Sequence, residues 1–241
     1  TSPAERANIL LKIADRIEII TNGLLLTRKK IDELVDSGLT NINISIQGMD
    51  SDQYQKACGK AIDFTGFIKN LTYLYERRGS IKIYIKIIDA LLQSKESEKD
   101  FYAIFSDIAD RIYIEHLIVM QQQMDELKNV VDGTKNFYNE EVDFDRKICS
   151  PSFYFLQIGC DLDTFPCPVP GLPTSFSLGN AKSQSLVEIW NGERRKRHLV
   201  QMLRFEVEKI PECAGCTAKY CITDLKENID KDAEKLLLRI V

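Results

Sequence analysis

The strongest constraint on this chain is an alternation of short β-branched runs with long helical stretches. Residues 17–21, Ile-Glu-Ile-Ile-Thr, read as a strand closed by the turn pair Asn22-Gly23. Thr27 caps a helix in which Ile31, Leu34 and Val35 fall at helical spacing, and Gly38 ends it. Residues 41–47 alternate Ile42, Ile44 and Ile46 with polar side chains, the period of a strand. Residues 62–78 are helical, with Phe67, Leu71, Leu74 and Tyr75 on one side and Gly79 as the stop. A strand at 81–88, a helix at 97–110 and a strand at 111–119 follow; Phe101, Ile104, Phe105 and Ile108 form the buried stripe of that helix. Strands separated by helices of this length pair in parallel. Ser2-Pro3-Ala4-Glu5 has an N-cap, a first-turn proline and a capping-box glutamate, which predicts a helix to about Asp15. A strand–helix series that opens on a helix predicts a partial α/β barrel.

The second half reads differently. Six of the seven cysteines lie between Cys149 and Cys221. Cys149 and Cys167 have 17 residues between them, 45 more follow, and Cys213-Ala-Gly-Cys216 sets two thiols on one tight turn. Two intervening residues is the spacing at which paired cysteines reach one metal centre. Cys149, Cys167, Cys213 and Cys216 are therefore the candidate ligands, with Cys160 and Cys221 as possible extras and Cys58 isolated. A four-cysteine zinc site uses the same ligands, and spacing alone does not separate it from an iron–sulfur cluster. Around the cysteines, residues 153–158 read as a strand, 161–164 as a turn, and 185–202 as a helix running past Gly192. Residues 224–241 read as a charged amphipathic helix ending in Leu236, Leu237 and Leu238. The boundaries are a partial barrel at 1–125, a polar linker at 126–147, a small α+β cysteine-rich module at 148–223 and a closing helix at 224–241.

Net charge and hydropathy exclude several classes. A formal charge of −4 gives no excess of cations for a phosphate backbone, so nucleic acid is not an expected partner. No apolar run is long enough for a bilayer and no signal peptide is recognisable, which predicts a cytoplasmic protein with no membrane partner. Thiols in that compartment stay reduced, so metal is the expected use of clustered cysteines, and a disulfide scheme would leave an odd one.

Four segments resemble radical S-adenosylmethionine (SAM) enzymes that carry a twitch or SPASM domain. Thr21-Asn22-Gly23-Leu24-Leu25-Leu26-Thr27 is similar to their "TNG-x-L-L-T" strand and turn. Leu34-Val35-Asp36-Ser37-Gly38-Leu39 and Ile44-Ser45-Ile46-Gln47-Gly48 are similar to "L-x-x-x-G-L … I-S-I-D-G". Leu178-Gly179-Asn180 with Ser185-Leu186-Val187-Glu188-Ile189-Trp190 resembles "LGN … S-L-x-E-I-W", which sits between the two cysteine pairs of the family as it does here. The chain departs from the family at three points. It has no Cys-x3-Cys-x2-Cys, no "GGEP" segment, and Gln47 where the family has Asp.

The resemblance implies a C-terminal fragment of an oxidoreductase. The parent would use one [4Fe–4S] cluster and SAM to make a 5′-deoxyadenosyl radical, chemistry that no side chain offers. It implies an auxiliary [4Fe–4S] cluster on Cys149, Cys167, Cys213 and Cys216, one rather than two, because only Cys221 follows them. It implies SAM contacts from Thr21, Asn22, Ser45 and Gln47 at strand ends, and Leu117 packed by the adenine. Lys86 is a further candidate facing substrate, and His116 reads as a packed strand residue. The compact cysteine spacing is similar to that of a twitch-type aminocyclitol dehydrogenase, which implies oxidation of a small molecule. A peptide substrate is the alternative, a non-catalytic zinc or iron–sulfur module another, and the reductant would be a flavodoxin or ferredoxin. The chain alone, without the three-cysteine motif, is expected to be inactive.

Overall fold

The computed structural model describes residues 14–92, 94–119 and 133–240. The helix expected over 2–15 falls almost wholly outside them. The chain divides into two compact units, Thr1–Glu115 and His116–Val241. No helix among the described residues is long and apolar enough to cross a membrane.

The first unit is the α/β fold that the alternation predicts. Its described elements are β1 (Glu18–Thr21), α1 (Arg28–Asp36), β2 (Asn41–Ile46), α2 (Ser51–Cys58), α3 (Phe64–Arg77), β3 (Lys82–Ile88), α4 (Lys95–Phe105) and β4 (Arg111–Glu115). The four strands form one sheet in the order β1-β2-β3-β4, every pair parallel. Register sorts the side chains cleanly. Ile42 pairs Ile83, Ile44 pairs Ile85 and Ile46 pairs Ile87, and all six are buried. That face packs on Ile31 and Leu34 of α1, Phe67, Leu71 and Leu74 of α3, and Phe101 and Phe105 of α4. Burying such side chains is worth about 1.5–3 kcal/mol each, which makes this face the source of the unit's stability.

The helices begin where short polar residues can hold them. Thr27, Asp50, Asp63 and Ser94 each accept a bond from a first-turn backbone N–H of the helix they precede. Three expectations need correction. The last strand stops at Glu115, so His116 and Leu117 lie beyond it and in the second unit. The helix expected over 97–110 starts earlier, at Lys95 under the Ser94 cap, and ends in a 3₁₀ turn at Ser106–Ile108. Helix α2 was not expected; it is short and its single buried residue, Tyr54, leaves no periodic stripe to read.

In the second unit a three-stranded antiparallel sheet joins β5 (Gln157–Ile158), β6 (Asp163–Phe165) and β7 (Gly179–Asn180). Around it lie α5 (Pro151–Tyr154), α6 (Leu186–Trp190), α7 (Glu193–Leu203), α8 (Ala218–Cys221) and α9 (Ala233–Ile240). Residues 153–158 are therefore not one strand: Pro151 at a helix start turns their first part into α5. The helix expected over 185–202 is two, parted at Gly192, whose extended backbone starts α7. The closing helix is shorter than the pattern suggested, with 3₁₀ turns at Leu225–Glu227 and Asp230–Asp232 before α9. Its Leu236, Leu237 and Ile240 pack on a core of Ile148, Met202, Leu203, Val207, Ile210 and Ala233. Leu238 stays exposed.

Candidate functional site

The other face of the parallel sheet is polar. Asn41, Asn43 and Ser45 of β2 share it with Tyr84 and Lys86 of β3 and Tyr113 and Glu115 of β4, by direct register or its two-residue repeat. At its C-terminal end Lys86 Nζ lies 2.8 Å from a Glu115 carboxylate oxygen, and only 15% and 6% of the two side chains are exposed. Burial pushes the Glu115 carboxyl up, against the pull of the Lys86 ammonium. Asn43 Oδ1 is buried without a hydrogen-bond partner. Ligands of parallel sheets bind beyond the carboxyl ends of the strands, where Ser45, Lys86 and Glu115 stand.

The strand-end residues have work within the chain. Thr21 Oγ1 accepts from the Gly23 N–H and Asn22 Oδ1 from the Leu24 N–H, so both close the turn after β1. Gly23 has φ +74° there, and a Cβ would press on Phe67 and Ile44. Gln47 donates its backbone N–H to the buried Tyr54 hydroxyl at 3.3 Å, and its amide reaches Ser45 O at 3.5 Å. Gly48 lets this loop lie against α2, since an added Cβ would sit 2.7 Å from Gln53 Cβ and 3.0 Å from the Tyr54 nitrogen. Gly48→Ala is expected to cost about 1–3 kcal/mol by overpacking, read as a lower melting temperature. Leu117, off the strand, is half-buried in the second unit. His116 is buried beside it and donates its N–H to Phe137 O.

In the second unit Cys149, Cys167, Cys213 and Cys216 line one cleft, with Ser152, Pro166, Val169 and Ala218 among its walls. They arrive on three local devices. Cys149 precedes α5, and the Asp230 carboxylate fixes its approach by accepting from the Lys147 and Ile148 N–H groups at 2.9 Å. Cys167 follows β6 on the return of the hairpin. Cys213 and Cys216 close a turn in which the Cys216 N–H donates to Cys213 O, with Gly215 at φ +68°. Burial pushes the Cys149 thiol up to about 12, with Cys167 and Cys216 adding to it, and Cys167 up to about 11. Burial also raises Cys213 and Cys216. Backbone N–H groups oppose the rise: Ser152 donates to the Cys149 sulfur, Val169 to Cys167 and Ala218 to Cys216. Such N–H donors stabilise a metal-bound thiolate and tune its potential.

Among the described residues no three His, Cys, Asp or Glu side chains are grouped around the position of one metal ion; the four cysteines share the lining of the cleft. The donor set fits an iron–sulfur cluster, whose irons each take their own thiolate. Of the two extra candidates, Cys160 is exposed on the β5–β6 hairpin and Cys221 is buried in α8, its pKa raised by burial. Neither lines the cleft. Cys58 is exposed at the end of α2.

Several supporting residues were not singled out from the sequence. Arg146 is fully buried and forks across the segment after the ligand turn. One of its terminal nitrogens donates to Lys219 O and to the Thr223 hydroxyl, the other to Asp224 O and Leu225 O. Arg195 is buried over the Trp190 ring at 3.5 Å and donates to Phe153 O and Trp190 O. His198 reaches the Ser152 hydroxyl at 3.1 Å, and burial pulls its pKa down to about 4. A signal for the last two existed, because Arg195, His198, Leu199 and Met202 fall on one helical stripe. The motif that resembles the family is structural. Leu178, Gly179 and Asn180 add the third strand to the hairpin, where Asn180 donates to Asp163 Oδ1. Ser185 and Glu188 form the capping box of α6.

The radical SAM superfamily model matches residues 3–108, and the SPASM model, an iron–sulfur cluster-binding domain, matches residues 149–217. No curated protein matches the chain. Among solved structures, Streptococcus suis SuiB bound to S-adenosylmethionine is similar over 95% of this chain and 59% of its own, at 17% identity and TM-score 0.57. SuiB bound to precursor peptide SuiA is similar over 95% and 58%, at 16% identity and TM-score 0.54. BtrN in complex with AdoMet and 2-DOIA is 14% identical over 88% and 65%, with TM-score 0.48. The chain thus spans 58–65% of the length of these proteins. The SuiB likeness is one of fold: a parallel sheet with helices, followed by a smaller cysteine-rich region. The chain carries a radical SAM superfamily segment at residues 3–108, followed at residues 149–217 by a SPASM-type iron–sulfur cluster-binding domain.

Proposed function

We propose that this chain is part of a cytoplasmic radical SAM oxidoreductase acting on a small molecule, with Cys149, Cys167, Cys213 and Cys216 holding one auxiliary [4Fe–4S] cluster. The observation that carries the reading is the single cleft lined by those four thiols. Four thiols suit a cube of iron and sulfide, which takes one at each iron, although a lone zinc would use the same four at about 2.3 Å from one point. Reduced iron–sulfur and SAM supply a one-electron route to an organic radical, which the side chains cannot generate. The chain's own residues bind, orient and shield. The unit ending at Glu115 serves as the partial barrel, and the unit from His116, closed by α9, as the cluster module.

In the barrel segment, Ser45 and Gln47 are the SAM contacts best placed, at the carboxyl end of β2. Thr21 and Asn22 hold the adjoining turn. Lys86 and Glu115 give the polar face a charged pair suited to a substrate hydroxyl or carboxylate. A flavodoxin or ferredoxin is the expected reductant. A peptide substrate is the second reading, favoured by the likeness to SuiB, which was solved with a precursor peptide. Without the Cys-x3-Cys-x2-Cys motif, the chain alone is expected to release no 5′-deoxyadenosine from SAM.

Comparing wild type with Cys213→Ala in the full-length enzyme, given SAM, reductant and either polyols or peptides, tests the reading. Expected is continued 5′-deoxyadenosine release with oxidised small-molecule product reduced to background. Wild-type product formation by the variant would overturn the auxiliary role, and product from peptides alone would move the assignment to the second reading.

A further inference from the structure

A second recess lies beside the cysteine cleft. It measures about 580 Å³, and its rim carries Arg194, Lys196, Arg197, Arg204 and Lys209 against one lining carboxylate, Glu193. Arg194, Arg197, Arg204 and Lys209 are exposed. Within the recess three cations are already engaged: Arg194 with Ser177 O at 2.8 Å, Arg197 through its Nε with Glu193 O at 3.4 Å, and Lys209 with Glu206 at 2.9 Å. Five cations around one hollow, on a chain with a net charge of −4, form a local field opposite to that of the whole molecule. The floor, formed by Leu178, Val200 and Ile210, is apolar. A cationic rim over an apolar floor fits an acidic protein surface with a protruding apolar side chain.

Two residues give the recess its meaning. Phe176 and His198 line both it and the cysteine cleft. Their rings meet edge-on, with centroids 5.5 Å apart. The wall between the cationic recess and the four thiols is therefore one side chain thick at this point.

We infer that this recess is the docking surface for an acidic one-electron carrier protein, which exchanges electrons with the cysteine-held cluster across Phe176 and His198. The inference rests on the cluster reading above. Each passage moves one electron, so the cluster is oxidised as the carrier is reduced, or the reverse, and no bond is made or broken. The cationic rim steers and orients the carrier; the thin wall keeps the path short.

The test is stopped-flow reduction of the anaerobically reconstituted full chain by a reduced flavodoxin, with reduced methyl viologen, a small cation, as the control. Arg197→Glu with Arg204→Glu is expected to slow flavodoxin at low salt at least tenfold, to remove the acceleration that low salt gives it, and not to slow viologen, whose positive charge the reversed rim attracts. Lys196→Glu with Lys209→Glu, on other parts of the rim, is expected to act likewise. Wild-type flavodoxin rates in both pairs would overturn the docking assignment, as would an equal loss with viologen. Stoichiometric binding of inorganic phosphate with unaltered flavodoxin rates would overturn it in favour of a small-anion site. Failure of the wild-type chain to load iron would overturn the cluster reading itself, a result distinct from loaded protein that shows no steering.

Discussion

Lys86→Met is expected to destabilise the parallel-sheet unit by about 3–4 kcal/mol at pH 7. The Glu115 side chain is 6% exposed, and Lys86 is its cationic partner at 2.8 Å. Removing one member of a buried pair leaves the other charge uncompensated, a loss of about 3–5 kcal/mol. The carboxylate has an escape: it takes up a proton. Doing so at pH 7 from an ordinary glutamate pKa costs about 1.4 kcal/mol per unit, or about 3–4 kcal/mol in all, which caps the loss. In the variant Glu115 titrates higher in the folded than in the unfolded chain. The penalty is therefore absent below about pH 4 and grows as the pH rises, until the folded-state pKa is passed. Chemical denaturation between pH 4 and 8 checks this. Lys86→Met with Glu115→Gln removes both charges and should regain most of the stability at pH 7. A pH-independent loss in the single variant would show that packing, not charge, dominates.

Arg146→Met is expected to cost about 2–4 kcal/mol in the second unit, because four hydrogen bonds from one buried charged donor are lost together. Methionine keeps the volume of the side chain but gives up all four bonds. Each carbonyl keeps one other donor: the Thr223 hydroxyl at 2.9 Å for Lys219 O, the Glu227 N–H at 3.0 Å for Asp224 O and the Asn228 N–H at 3.3 Å for Leu225 O, so what is lost is the charge-assisted set and not the last partner. Arg146→Lys should restore little, because an ammonium cannot span two pairs of acceptors as the planar fork does. Full recovery by lysine would show that the charge alone is needed. Arg146 lies three residues before Cys149 and grips the segment beginning three residues after Cys216, so the same variants should weaken iron retention as well.

The parallel sheet could be read from the chain because its signal is periodic. Ile42, Ile44 and Ile46 alternate, and the helix stripes through Phe67 and Phe101 repeat, so element order and pairing followed. The end of β4 could not be read, since Ile114, Leu117 and Ile118 continue the apolar pattern past the point where Glu115 turns to Lys86. The strand ends where its partner does: Glu115 is registered with Ile88, the last residue of β3, a limit that local sequence does not carry. The four candidate thiols were chosen from spacing and resemblance, and the structure sets them around one cleft. The polar supports were harder. Arg146 belongs to a stretch without periodicity and finds its partners some 70–80 residues away. Arg195 hides within Arg194-Arg195-Lys196-Arg197, a run whose composition suggests solvent although one member faces the core. Thr21 and Asn22 illustrate the converse: residues that resemble a ligand motif also close a turn.

The most direct test of the central claim is the content of iron, sulfide and zinc per chain after anaerobic reconstitution, for wild type and Cys213→Ala. About four irons and four sulfides per wild-type chain, lost in the variant, are the predicted result. One zinc with no sulfide, unchanged by added iron, would contradict the account and leave the four thiols as a structural zinc site.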